Sequence, residues 1–166
     1  MMLNTTHADR NLEGDAHTPG RIGVDLQALP FADGAYDFVY ASHVLEHIPD
    51  DTRALAEIRR ILSPNGIAIL PVPIVADRTI EYPEPNPHES DHVRAPGLDY
   101  FERYRKHFAK VECIRSSQIP RRYQPYVYED RTGWPNGLSP LRPAMTGKRH
   151  EDVVPVCYVR TAAGLI

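Results

Sequence analysis

Two short apolar runs, separated by one amphipathic helix, limit what this chain can fold into. The runs are Tyr36 to Ala41 and Ile67 to Leu70. Between them Leu55, Ile58 and Leu62 recur at helical spacing with Ala54 and Ile61 beside them, while Arg53, Glu57 and Arg60 face outward. Asp50 or Asp51 caps the start, and Ser63-Pro64-Asn65-Gly66 supplies a stop. Near-continuous apolar strands joined by a helix predict a parallel sheet, with residues 36–41 and 67–70 as neighbours and 52–62 as the right-handed crossover. In such sheets the ligand crevice lies beyond the carboxyl ends of the strands. That places Ala41, Ser42, His43 and His47 at a candidate site.

The flanks are less regular. Residues 1–21 are polar, show no period, and read as a loose arm. Arg21 to Leu26 reads as a short strand ending at Asp25, and Asp33-Gly34 marks a turn. Residues 75–96 hold Pro83, Pro85, Pro87 and Pro96 around His88, Glu89, Asp91, His92 and Arg94, and read as a long polar binding loop. A helix over Leu98–Phe108 and a strand over Lys110–Arg115 follow. Residues 116–152 read as an irregular cap containing Arg121, Arg122, Tyr123, Tyr126, Tyr128 and Trp134. Val153 to Arg160 closes the chain as a strand that Pro155 demotes to an edge or a bulge. The whole of 1–166 reads as a single domain.

Composition narrows the function. The chain has 166 residues, 42% of them hydrophobic, enough for a real core. A net charge of −3 argues against nucleic acid or an anionic membrane as the main partner. No run reaches the length of a membrane span. Cys113 and Cys157 form no C-x-x-C and no framework, which predicts a reduced, cytoplasmic setting.

Several linked motifs then occur in order: Asp25 with Leu29-Pro30-Phe31, Asp33-Gly34-Ala35-Tyr36-Asp37, His43-Val44-Leu45-Glu46-His47-Ile48-Pro49-Asp50-Asp51, and Arg60-Ile61-Leu62-Ser63-Pro64-Asn65-Gly66. Over roughly residues 22–115 the chain resembles the class I S-adenosylmethionine-dependent methyltransferases of the type-11-like branch. The resemblance implies a three-layer, Rossmann-like α/β fold with sheet order 3-2-1-4-5-7-6. It also implies a reaction, methyl transfer from S-adenosylmethionine to a small molecule. It puts Asp25 and Leu26 at the adenine, and Ala41, Ser42 and His43 at the methionine end. His43 and His47 become candidate bases, and His92 and Arg94 candidate substrate contacts.

The resemblance fails at one place. Such enzymes begin with a strand and a D/E-x-G-x-G turn under the cofactor, where a side chain would hold the backbone away from the ligand. Residues 1–21 offer only Gly14 and Gly20. The expectation is therefore a methyltransferase sheet truncated at its N-terminus, with its first two strands missing and cofactor binding weak or absent. A homodimer or a partner chain would then cover the exposed edge. A rival follows from the same gap: a methyltransferase-like binding or scaffold subunit that lacks its own cofactor site.

Each candidate has a plainer alternative. Asp25 can simply cap the turn after its strand, and His43 and His47 can be hydrogen-bonded structure. Arg94 can pair with Asp91 or Asp99. His88, Glu89, Asp91 and His92 are of types that suit zinc or manganese, but all four lie on one loop. They read as a solvated loop, and no metal is assigned.

Overall fold

The computed structural model describes residues 6–9, 21–120, 122, 126–128, 149–151 and 153–161. Its strands are β1 (His7–Asp9), β2 (Arg21–Gly23), β3 (Tyr36–Tyr40), β4 (Leu62–Ile69), β5 (Ile80–Asn86), β6 (His92–Ala95), β7 (Lys110–Arg115), β8 (Tyr126–Tyr128), β9 (Arg149–Glu151) and β10 (Val153–Tyr158). Its α-helices are α1 (Asp51–Ile61) and α2 (Phe101–Arg105).

The main sheet has the order β3-β4-β10-β7. β3 and β4 are parallel, as their apolar runs predict, and α1 connects them. β10 is antiparallel to both β4 and β7. This order reproduces the 4-5-7-6 half of the sheet that the resemblance implies. The Asp50 carboxylate accepts from the Arg53 N–H at 2.9 Å and starts α1. Ala54, Leu55, Ile58 and Ile61 are the buried side of α1. They share one core with Leu70, Tyr100, Phe101, Tyr104 and Cys157. The Tyr104 hydroxyl donates to the Leu70 carbonyl at 2.9 Å, so its polar end is satisfied inside that core.

Several sequence expectations are corrected. β10 is central, not an edge. The Pro155 carbonyl accepts from Leu70 N–H, and the proline's missing donor falls just past Val156↔Ile69, the last pair of the β4 ladder. Asn65-Gly66 does not stop α1. The helix ends at Ile61, β4 starts at once, and residues 63–66 make an irregular excursion before Phe38 pairs with Ile67. Residues 75–96 are not one loop: β5 and β6 pair as an antiparallel hairpin. The second helix is short, with a 3-10 turn over Leu98–Tyr100 before α2 and an end at Arg105. Glu57 and Arg60 do not simply face solvent. Arg60 donates to the carbonyls of Leu29 and Phe31 and to Asp33, while Glu57 accepts from the Leu29 N–H. The pair fastens the 29–33 turn onto α1.

The N-terminal stretch is not wholly a loose arm, because β1 pairs with β2 in parallel. Among the described residues no strand pairs with the outer edge of β3. Phe38 and Tyr40, expected to be buried, are 55% and 63% exposed there. Within 116–152, the described parts are residues 116–120 with a 3-10 turn over Ser116–Gln118, Arg122, and the antiparallel pair β8/β9. Gly14, Gly20, Arg121, Tyr123 and Trp134 lie outside the described residues, as do the side chains of Tyr126 and Tyr128.

Candidate functional site

One groove of about 700 Å³ opens beyond the carboxyl end of β3 and along its outer edge. The volume falls in the range of small-molecule and cofactor sites. Val24, Asp25 and Leu26 line it, as do Phe38 through Val44 and His47. All five candidate cofactor residues, Asp25, Leu26, Ala41, Ser42 and His43, therefore face a single cavity. Thr6 also lines it, and the Tyr36 hydroxyl lies 3.2 Å from the Thr6 hydroxyl.

Asp25 is exposed, and its Oδ1 accepts from the Gln27 N–H at 2.8 Å. The Gln27 side-chain amide approaches both carboxylate oxygens, at 3.1 and 3.3 Å. The plainer role of turn cap is thus real. An ionised carboxylate has about four acceptor positions, so it also suits an exocyclic amine. His43, three residues past the end of β3, sits in the left-handed region at φ 54°, which non-glycine residues adopt uncommonly. Its N–H donates to the Pro71 carbonyl at 2.9 Å, and its side chain is 41% exposed. S-Adenosylmethionine fits the walls described: an acceptor at Asp25, an apolar strip from Leu26 to Val39, and polar groups at Ser42 and His43. A glycine-rich turn has no counterpart among the described residues.

Arg94, expected at the substrate, is buried here and acts as a clamp. It is 2% exposed. Nη1 donates to the carbonyls of Leu45 and Ile48 at 2.7 and 2.6 Å, and Nη2 to that of Pro49 at 3.0 Å. Nε donates to Glu81 at 3.0 Å and lies 3.6 Å from Asp51. The expected pairing with Asp91 or Asp99 does not occur; Asp99 instead accepts from the Thr79 N–H and hydroxyl.

This clamp holds the Leu45–His47 turn against β6 and brings His92 onto His47. Their rings meet edge to face with centroids 4.6 Å apart. Glu46, a residue the sequence reading left unassigned, lies beside them at 1% exposure. Burial pushes its carboxyl up to about 7, against smaller opposing pulls from its own backbone N–H and the Arg94 charge. An acid next to two histidines in the motif His43 to His47 was the available signal. His88 and Asp91 of the presumed polar loop are exposed, whereas Glu89 is 7% exposed and turned inward, with Oε2 3.9 Å from His92 Nδ1.

Comparison with known proteins bears on this geometry. Residues 4–70 match the family described as Methyltransferase domain. The chain is 40% identical over 60 residues to an uncharacterized 37.1 kDa protein in transposon TN4556 of Streptomyces fradiae, covering 36% of this chain and 17% of that protein. It is 35% identical over 60 residues to the malonyl-[acyl-carrier protein] O-methyltransferase of Erwinia pyrifoliae, covering 36% of this chain and 21% of that enzyme. The matches thus span only a small part of either relative. Among solved structures, it superposes on a Burkholderia thailandensis 1,6-didemethyltoxoflavin-N1-methyltransferase with bound 1,6-didemethyltoxoflavin and S-adenosylhomocysteine, with a TM-score of 0.52 at 17% identity. That superposition covers 83% of this chain and 49% of the other. A SAM-dependent methyltransferase of Thermotoga maritima gives a TM-score of 0.50 at 16% identity over 84% of this chain and 63% of that one. Over residues 4–70 the chain matches the methyltransferase-domain family, and its fold is that of the Rossmann-like methyltransferases.

Proposed function

We propose that this chain binds S-adenosylmethionine in the groove beside β3 and transfers its methyl group to a small-molecule acceptor. One observation carries the reading: Asp25, Leu26, Ala41, Ser42 and His43 line the same cavity. The cofactor supplies an electrophilic methyl group on a sulfonium. The chain's own residues hold it in line with the acceptor, which is the larger part of catalysis for such a displacement. Asp25 accepts from the adenine amine, and Leu26 packs on the ring. His43, exposed at the groove wall, takes the acceptor's proton where the acceptor is acidic. His47 is the other candidate base, but its ring is packed against His92, which favours His43.

Calorimetric titration with S-adenosylhomocysteine tests this. Micromolar binding that Asp25→Ala weakens by about tenfold is the expected result, the loss of roughly one charge-assisted hydrogen bond. No heat at millimolar ligand would overturn the reading and leave the scaffold role as the better account.

A further inference from the structure

We infer that Glu46, His47 and His92 form a binding site for one divalent first-row cation of the zinc class. One candidate ligand atom from each of the three lies within 4.8 Å of the others. A cation about 2.1 Å from each ligand needs them roughly 3.4 Å apart in tetrahedral geometry, which small side-chain rotations reach. Two imidazoles and one carboxylate suit zinc and its neighbours, not magnesium or calcium, which favour all-oxygen shells.

A second observation, independent of this spacing, points to a ligand. Glu46 is 1% exposed, and no other residue donates a hydrogen bond to either carboxylate oxygen. His43 Nδ1 stands 3.8 Å from Oε1, beyond hydrogen-bond reach. A buried carboxylate without a donor is among the costliest arrangements in a protein interior. The guanidinium nearby does not answer it, because Arg94 is directed to three carbonyls, Glu81 and Asp51. A cation between Glu46 and the histidines would.

The surroundings are also those of a built site. Glu89 Oε2 lies 3.9 Å from His92 Nδ1, and Glu89 Oε1 accepts from the Tyr82 hydroxyl at 2.8 Å. That separation exceeds a hydrogen bond, so Glu89 stands behind the ring without fixing it; a carboxylate that closes onto a ligating histidine orients it and raises its basicity. Three protein ligands leave a coordination position open, and His47 lines the groove, so that position can face a bound small molecule. The three ligands come from two distant stretches of chain, joined by the Arg94 clamp. The proposal does not depend on methyl transfer.

The test is titration of the tag-free, chelator-treated full chain with Zn²⁺ by calorimetry, repeated with Co²⁺ by visible absorption. The expected result is one equivalent of Zn²⁺ bound at micromolar affinity or tighter, and a Co²⁺ spectrum of a four-coordinate site. Glu46→Gln, of nearly equal shape, and His92→Asn should each weaken binding by at least about tenfold, and Glu89→Gln by about ten- to a hundredfold. His88→Ala, on the same hairpin turn, should leave it unchanged. No Zn²⁺ bound by the native chain overturns the proposal without recourse to any variant. Binding that survives both Glu46→Gln and His92→Asn overturns it equally, by placing the cation elsewhere.

Discussion

At the residue scale, two buried groups carry consequences larger than their size. Arg94 holds three carbonyls of the 45–49 segment and stands beside two carboxylates. Arg94→Met should cost about 3–5 kcal/mol, because Asp51 stays buried with less compensation and the carbonyls lose their donors. Urea unfolding measures it, and a loss below about 1 kcal/mol would show that the clamp is dispensable. Cys157 is fully buried, and burial pushes its thiol up from 9.0 to about 12. An unfolded chain releases that proton at lower pH than the folded one, so this residue's contribution falls as pH rises through the unfolded value towards the folded one. Stability should drop by about 1 kcal/mol between about pH 8 and pH 10, and Cys157→Ala should remove that part of the slope. A native thiol there that alkylates as fast as a free one would contradict the assignment.

At the element scale, the hairpin β5/β6 decides where the site's second half goes. It is tied down at its base: Thr79 donates to Asp99, and Gly97 N–H donates to the Thr79 hydroxyl at 3.1 Å. Val75 and Ala76 N–H both donate to the Pro96 carbonyl. A Cβ on Gly97 would stand 2.7 Å from backbone atoms of Arg78 and from Asp99 Oδ1. Gly97→Ala should therefore destabilise the fold by about 1–3 kcal/mol, with the hairpin opening first in hydrogen exchange. An unchanged melting curve and unchanged protection of 80–95 would refute this.

At the scale of the whole molecule, the edge of β3 that no strand among the described residues covers is the dominant feature. Its unpaired groups sit beside half-exposed Phe38 and Tyr40 along the groove. Edges of this kind invite pairing, and two copies joined at β3 by a two-fold axis satisfy both with one contact. The chain should therefore scatter light as a dimer at micromolar concentration, and Phe38→Lys with Tyr40→Lys should return it to monomer. A native chain that stays monomeric at high concentration would show that the edge is covered by residues outside those described. The order β3-β4-β10-β7 makes this edge the place where the family sheet continues.

The sequence by itself determined the parallel pair β3/β4, the helix between them, the β7 strand and the position of the groove. Each rests on a local signal: period, cap, and the apolar run that ends in polar residues. It also brought Asp25 and the 41–43 turn together, through linked motifs. Tertiary structure alone decided the rest. Pro155 reads locally as an edge residue, yet its strand lies in the middle of the sheet because the missing donor falls just past the β4 ladder. Arg94 reads as a candidate substrate contact, and is a buried tie because three carbonyls 45–49 residues earlier converge on it. Glu89 and His92 share one loop in the sequence and give no metal-ligand spacing there. Only the folded hairpin sets them against Glu46 and His47, which no local period can encode.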